Sequence, residues 1–304
     1  MNNGKVDWHG SYVAVVTPFT ESAAIDESAF RENIEFLLEQ GADGIVVSGC
    51  TGESWALSAE ERLRLFRLAV ETTGTRAPVI AGTGGVSTQA VIDLSVAAKT
   101  AGVAGIMVLP PYYCMAGRRE VLEHYRAVSD HVEHPILLYN IPRRTGFNMT
   151  PEFLLDLVKV EWIAAIKESS NDFIQTASTI QAVGDQIQVF TGHSAERAVP
   201  ALLMGAKGYV SSMESQIMGR EAIEMYDLVE AGRLDEARRV QHRTLLLDQR
   251  MREAGTFPAN LKAGMNVLGR RGGFPRRPLL PLTAGETVKV KEVLAGLNIA
   301  PVAV

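Results

Sequence analysis

One lysine in this 304-residue sequence stands where its amine could act as a nucleophile. Lys167 ends the apolar run that begins at Ile163, so its ammonium is expected to emerge from an apolar wall at the end of a buried strand. Loss of hydration lowers a lysine pKa, and the neutral amine then reacts with carbonyl groups. The position favours Schiff-base chemistry, with a lysine merely paired to a carboxylate at a strand end as the open alternative.

A tyrosine closes the preceding apolar run and could move the protons that such chemistry needs. Tyr139 ends the run that begins at Ile136 and is followed by Asn140-Ile-Pro. A carbinolamine must gain and lose protons before it becomes an imine, and a phenol within hydrogen-bond reach can carry them. The alternative is a core aromatic whose hydroxyl is simply satisfied.

The turn Gly49-Cys50-Thr51-Gly52-Glu53 follows another apolar run and precedes a helical segment. Backbone N–H groups in such a turn, aided by the helix dipole, can hold a carboxylate. Many strand-to-helix turns have a similar composition, so this motif alone is weak. Glu53 could serve only to cap or brace the loop.

These residues must be positioned by a regular alternation of elements. Short, nearly continuous apolar runs alternate with amphipathic helical segments, as is typical of parallel strands buried on both faces. Eight such runs predict a closed (β/α)₈ TIM barrel. The predicted strands are Tyr12–Thr17, Gly44–Ser48, Pro78–Ala81, Gly105–Leu109, Ile136–Tyr139, Ile163–Lys167, Gln188–Thr191 and Gly208–Ser211.

A recurrent joint between helix and strand supports the barrel. The first glycine of each joint suits the end of a helix, where positive φ is common. Repetition in the same phase indicates repeated βα units, and eight strands without a reversal signal favour a barrel over a doubly wound sheet. The three joints are Gly41-Ala-Asp-Gly44, Gly102-Val-Ala-Gly105 and Gly205-Ala-Lys-Gly208.

The sequence predicts a barrel over residues 1–230 and a C-terminal helical extension, residues 231–304, that packs on it. Leu245 to Leu247 fall in one helical segment of the extension and Val288 to Leu294 in its last. Gly272-Gly-Phe-Pro275 is the one plausible internal linker.

Composition narrows the class of protein. A net charge of −5 argues against a nucleic-acid binder, and no apolar stretch approaches a membrane span. Cys50 and Cys114 form no CxxC pair, and no HxH pair ends a strand, so no metal site is predicted. The chain is expected to be a reduced, cytoplasmic protein. Its one basic cluster, Arg270, Arg271, Arg276 and Arg277, is interpreted as a solvated surface or subunit contact.

Three motifs together resemble the dihydrodipicolinate synthase/N-acetylneuraminate lyase family. They are Gly49-Cys-Thr-Gly-Glu53, Tyr139-Asn-Ile-Pro-Arg-Arg-Thr-Gly146 and Lys167-Glu168, and the resemblance runs from Val16-Thr-Pro-Phe19 to about residue 230. It implies a barrel whose lysine forms a Schiff base with pyruvate or another 2-oxo acid, without cofactor or metal. It also implies a homotetramer built as a dimer of dimers.

The resemblance further implies a role for each matching residue. Lys167 would form the imine, Tyr139 would be the general acid/base, and Tyr113 would complete a proton relay from a neighbouring subunit. The remaining residues would bind substrate: Thr51 with the turn amides from Gly49 onward, Arg144 at the carboxylate of the second substrate, and Gly192 and Val210 through backbone groups.

One residue departs from the family pattern. Cys50 stands where the family usually has Thr or Ser, between Tyr139 and Tyr113 in the relay, and a thiol is a weak donor and acceptor. Arg144-Thr-Gly146 looks like the synthase branch, which implies condensation of pyruvate with aspartate semialdehyde to 4-hydroxy-tetrahydrodipicolinate. Cys50 favours the alternative, an aldolase or dehydratase of a 2-oxo-3-deoxy sugar acid or related 2-oxo acid. It also motivates a third hypothesis, a non-catalytic sensor or assembly subunit.

Overall fold

The computed structural model describes residues 6–300 and confirms the (β/α)₈ barrel. Its parallel strands pair in the order of the sequence, and the first strand closes onto the last. Every strand residue except Gln188 is buried, which explains the continuous apolar runs. The strands are β1 (Gly10–Ala14), β2 (Gly44–Val47), β3 (Val79–Gly82), β4 (Gly105–Val108), β5 (Ile136–Asn140), β6 (Ile163–Glu168), β7 (Gln188–Thr191) and β8 (Gly208–Ser211).

Helices follow the strands, and side-chain caps begin several of them. Ser58 and Glu61 form a capping box at the start of α2, for example. A short 3₁₀ helix spans Ser54–Ala56. The α-helices are α1 (Glu27–Glu39), α2 (Ala59–Thr73), α3 (Thr88–Thr100), α4 (Arg118–Val132), α5 (Pro142–Thr145), α6 (Pro151–Leu157), α7 (Phe173–Val183), α8 (Ser194–Leu203), α9 (Met213–Met218), α10 (Arg220–Ile223), α11 (Met225–Glu230), α12 (Leu234–Ala254), α13 (Ala259–Val267) and α14 (Ala284–Gly296).

The strand bounds agree with the predictions to within one residue, except at β1. That strand ends at Ala14 instead of Thr17, because the Val16 N–H donates to the Gln216 side chain at 3.1 Å rather than to a neighbouring strand. At the recurrent joints, Gly41, Gly102 and Gly205 all have positive φ, between 89° and 102°.

The last three helices pack against the barrel. Side chains of α12 and α13, among them Leu247 and Leu261, share one apolar cluster with Val16 and Met213 of the barrel. The division of the chain at residue 230 stays a prediction. Within residues 6–300, no helix is both long and apolar enough to cross a membrane.

Two parts of the extension make contacts with the barrel that composition did not indicate. The segment Gly272–Pro275 is not a free linker, because the Phe274 N–H donates to the Phe19 carbonyl at 2.8 Å. The basic cluster is not uniformly solvated either. Arg276 turns inward and pairs with Glu61 at 2.8 Å, with its side chain only 17% exposed.

Candidate active site

The C-terminal ends of several strands converge on one cavity of about 120 Å³. This is the end of a TIM barrel where reactive groups are found. Seven of the residues singled out from the sequence line it: Cys50, Thr51, Tyr139, Arg144, Lys167, Gly192 and Val210.

Lys167 lies near the end of β6 and is buried, with 6% of its surface exposed. Burial lowers the pKa of its ammonium to about 8, although Cys50 and Glu214 oppose that shift. Its sequence neighbour Glu168 accepts hydrogen bonds from Asn140 Nδ2 and from the backbone N–H of Ser170. No carboxylate of the described residues forms an ion pair with Lys167, so the alternative of a carboxylate-paired lysine does not hold.

Tyr139 stands beside this lysine because β5 and β6 pair the two residues directly. The Lys167 Nζ lies 4.5 Å from the centre of the Tyr139 ring. Burial raises the pKa of the phenol well above its ordinary value, so the hydroxyl keeps its proton at neutral pH. The hydroxyl donates to Cys50 Sγ at 3.8 Å, which makes the thiol its immediate partner in this chain.

The turn after β2 is held closely against the end of β1. The Thr17 hydroxyl donates to the Gly52 carbonyl at 2.8 Å, and a Cβ on Gly52 would lie 3.2 Å from the Val15 carbonyl oxygen. The Gly49 carbonyl accepts the N–H of Ser54 at 3.2 Å, which closes the turn. Thr51 is buried within it and faces the cavity.

Gly192, at the end of β7, is a steric requirement of the site. A Cβ there would lie 1.9 Å from Ser169 Oγ and 2.9 Å from Lys167 Cε. Only glycine leaves room for the lysine at this point. Val210 completes the wall from β8.

Arg144 and Tyr113, which the resemblance assigns to the second substrate and to the proton relay, occupy different environments. Arg144, on α5, lines the cavity and lies over the Trp55 ring, with its guanidinium carbon 5.3 Å from the ring centre. Tyr113 lies outside the cavity of its own chain, 91% exposed and with a φ of 70°. A role for Tyr113 in the cavity therefore requires a second copy of the chain.

The dihydrodipicolinate synthetase family matches the chain over residues 7–297. The chain is 38% identical over 285 residues to the 4-hydroxy-tetrahydrodipicolinate synthase of Geotalea uraniireducens. It is 37% identical to the enzyme of that name from Geobacter sulfurreducens, and each match covers 94% of this chain and 97% of the relative. The chain belongs to the dihydrodipicolinate synthetase family.

Solved structures of this family superpose closely on the chain. YagE, a prophage protein of E. coli K12 solved in complex with pyruvate, has a TM-score of 0.92 at 27% identity and covers 96% of this chain and 99% of its own. The dihydrodipicolinate synthase of Aquifex aeolicus has a TM-score of 0.89 at 32% identity, covering 98% and 100%. Members of the dihydrodipicolinate synthetase family are lyases that use a lysine Schiff base, which confirms the predicted enzyme class.

In this member of the dihydrodipicolinate synthetase family, sequence reasoning missed the outer wall of the cavity. His193 follows Gly192, while Asp248 and Arg252 on α12 and Phe257 beyond it come from the extension. Arg252 Nε donates to Asp248 Oδ2 at 2.6 Å. Burial lowers the pKa of His193 to about 4, so its ring is neutral at pH 7. The i,i+4 spacing of Asp248 and Arg252 predicts their pairing but not that they line this cavity.

Proposed function

We propose that this chain is a 4-hydroxy-tetrahydrodipicolinate synthase, which condenses pyruvate with aspartate semialdehyde through an imine at Lys167. The observation that carries the proposal is the buried Lys167 amine, with its pKa lowered to about 8, against the ring of Tyr139 in one cavity. The relatives of that name at 37–38% identity support the choice of aldehyde.

The proposed chemistry assigns a role to each group. The neutral Lys167 amine attacks C2 of pyruvate, whose carbonyl oxygen takes a proton from Tyr139. The amine nitrogen returns a proton to Tyr139, and the carbinolamine hydroxyl then takes a proton from Tyr139 and leaves as water to give the protonated imine. The Tyr139 oxygen accepts a methyl proton to give the enamine, whose carbon bonds to the aldehyde carbon while the aldehyde oxygen takes that proton back. The amino group of the bound aldehyde then attacks the imine carbon, displaces Lys167 as the free amine and gives up a proton to Tyr139, which releases the cyclic product. Thr51 and the turn amides would hold the pyruvate carboxylate, and Arg144 the carboxylate of the aldehyde.

We further propose a homotetramer in which Tyr113 of a neighbouring copy completes the relay. The exposure of Tyr113 supports this, as do the exposed apolar side chains of Ile174 and Leu203. The two free thiols, Cys50 and Cys114, support a reduced, cytoplasmic location.

Borohydride trapping tests the imine. The native chain and Lys167→Arg are each mixed with pyruvate, reduced and weighed by intact-mass spectrometry. We expect a reduced pyruvate adduct on the native chain alone. No adduct on either chain would refute the imine and bring forward the non-catalytic hypothesis.

An aldolase or dehydratase of a 2-oxo-3-deoxy sugar acid is the second candidate. Cys50 favours it, since a thiol rather than a hydroxyl meets Tyr139, and so does the polar wall of His193 and Asp248, which could meet sugar hydroxyls. Steady-state rates with aspartate semialdehyde and with 2-oxo-3-deoxy acids separate the two. Turnover of the sugar acids alone would replace the synthase assignment.

A further inference from the structure

A buried ion pair joins the extension to the turn after β2. Lys262 of α13 contacts Glu53 through Nζ and Oε1, and the two side chains are 1% and 0% exposed. Such a pair tolerates the loss of one partner poorly, because the other charge is then buried alone. Burial lowers the pKa of the Lys262 ammonium, while the Glu53 carboxylate opposes that shift.

The remaining donors of Lys262 also reach the walls of this turn. Its ammonium donates to the Thr17 carbonyl at 2.6 Å and to the Phe274 carbonyl at 2.8 Å. Thr17 in turn donates through its hydroxyl to Gly52. The lysine therefore connects the segment that follows β1, the turn and the segment after α13.

Glu53 is held from its other side as well. Its Oε2 accepts the backbone N–H of Arg276 at 2.9 Å, and the Arg276 guanidinium donates to the Ala56 carbonyl at 2.7 Å. Glu53 itself has a φ of 53°, a left-handed conformation that needs support from its surroundings in a residue other than glycine. The contacts on both carboxylate oxygens supply that support.

Glu53 belongs to the turn proposed to hold the pyruvate carboxylate, two residues after Thr51, and its side chain is fully buried. Without Lys262, a charged Glu53 carboxylate would repel an anion bound at this turn, since water screens a buried charge little. We propose that Lys262 is a positioning residue for the 2-oxo acid: it neutralises Glu53 and fixes the turn that binds the substrate carboxylate. The inference rests on the proposed function of that turn.

The test uses pyruvate as the probe and the full chain throughout. The amount of borohydride-trapped adduct is measured against pyruvate concentration for native protein and Lys262→Met. We expect the half-saturating concentration to rise at least ~10-fold, while kcat at saturating pyruvate stays within about 2-fold, as for lost ground-state binding. Lys99→Met is the matched control, because Lys99 also anchors backbone carbonyls, at Val132 and Glu133, but far along the chain from the turn.

A double variant separates the charge from the mechanical support. In Lys262→Met/Glu53→Gln the amide oxygen can accept the Arg276 N–H, and the amide NH₂ can donate to a carbonyl that the lysine leaves. We expect the half-saturating pyruvate concentration of the double variant to lie within about 3-fold of the native value, because neither the lysine nor the glutamate charge remains at the turn. The proposal would be overturned if the double variant needed as much pyruvate for half-saturation as Lys262→Met does. It would also be overturned if Lys262→Met reached half-saturation at the same pyruvate concentration as the native chain.

Glu53→Gln alone covers the case in which Lys262→Met does not fold. It removes the carboxylate from the turn and leaves Lys262 with its carbonyl partners at Thr17 and Phe274, so pyruvate should bind as tightly as in the native chain or more tightly. A tenfold weakening would overturn the proposal. Absence of an adduct on the native chain would instead refute the proposed function, which keeps the two failures distinguishable.

Discussion

Replacing Lys167 with methionine should abolish imine formation and at the same time stabilise the fold. The native chain keeps the lysine amine in an apolar wall, where burial lowers its pKa from 10.5 to about 8. Methionine is similar in length and has no charge to desolvate. Stability and activity therefore move in opposite directions at this position.

The size of the gain follows from the shift in pKa. A lowering from 10.5 to about 8 corresponds to about 3 kcal/mol of destabilisation by the charged lysine. The variant also loses the contact of Nζ with the Tyr139 ring, and this loss reduces the gain in stability by about 0.5–2 kcal/mol. We expect Lys167→Met to be more stable than the native chain by about 1–3 kcal/mol at pH 7.

The gain should depend on pH with a definite sign. Below about pH 8 the amine is charged in both the folded and unfolded chain, so the full cost of burial is present. Between there and pH 10.5 the unfolded chain binds more protons, so the stability of the native protein rises with pH. The advantage of methionine should therefore shrink across that interval.

Urea unfolding at pH 7 and at pH 10, at one fixed protein concentration, measures both effects. Lys99→Met is the control, since Lys99 is an exposed residue whose replacement should give no gain at either pH. The reasoning is refuted if Lys167→Met is no more stable than native at pH 7. A gain of equal size at pH 10 would likewise show that charge burial is not its source.

Other variants address the remaining groups of the site. Cys50→Thr gives Tyr139 a hydroxyl partner and should raise kcat about 3- to 10-fold with little change in the KM for pyruvate, whereas an unchanged kcat would remove the thiol from the relay. Arg144→Gln should raise the KM for aspartate semialdehyde by about 100-fold and leave the trapped pyruvate adduct intact; loss of the adduct would contradict that role. Trp55→Ala should raise the same KM about 3-fold through lost support of Arg144, and a larger effect on pyruvate would argue against it. Pre-steady-state imine formation in the native chain should speed up as the pH rises to about 8 and then level off, while a rate flat from pH 6 to 9 would contradict the assigned Lys167 pKa.

The barrel could be predicted because its signals are local. Apolar runs mark strands buried on both faces, and a glycine such as Gly41 marks the end of a helix by its positive φ. The main error lay at β1, where Val16 is apolar but bonds to the Gln216 side chain, 200 residues away. Apolar sequence shows burial but not which partner takes the backbone N–H.

The reactive pair could be predicted for the same reason. Lys167 and Tyr139 are the last residues of apolar runs, and in a parallel barrel the ends of neighbouring strands meet. The environment of Cys50 could not be predicted from the sequence. The distance from its sulfur to the Tyr139 hydroxyl depends on how the turn after β2 lies relative to β5. The family motifs supplied the roles, which spacing alone left open.

The contributions of the extension left no such signal. Lys262 lies 209 residues from Glu53, on a helix whose pattern indicates only packing. Glycine and proline marked the segment Gly272–Pro275 as a linker, but composition does not show that the Phe274 carbonyl accepts from Lys262. The structure around Glu53 depends on side-chain contacts between segments far apart in the sequence, and local patterns do not show such contacts.

The barrel and the extension therefore influence different aspects of the reaction, the barrel its chemistry and the extension the affinity for its substrates. The strand ends supply Lys167 and Tyr139, to which we assign imine formation and its proton transfers, so a change there should alter the chemistry itself. The extension places Lys262 against Glu53 of the turn after β2 and Arg252 in the wall of the cavity, and substitutions at either residue leave Lys167 and Tyr139 in place. Changes in affinity for the 2-oxo acid or in choice of its partner should accordingly arise through α12, α13 and the segment that contacts Glu53, as well as through Thr51 and Arg144 of the barrel.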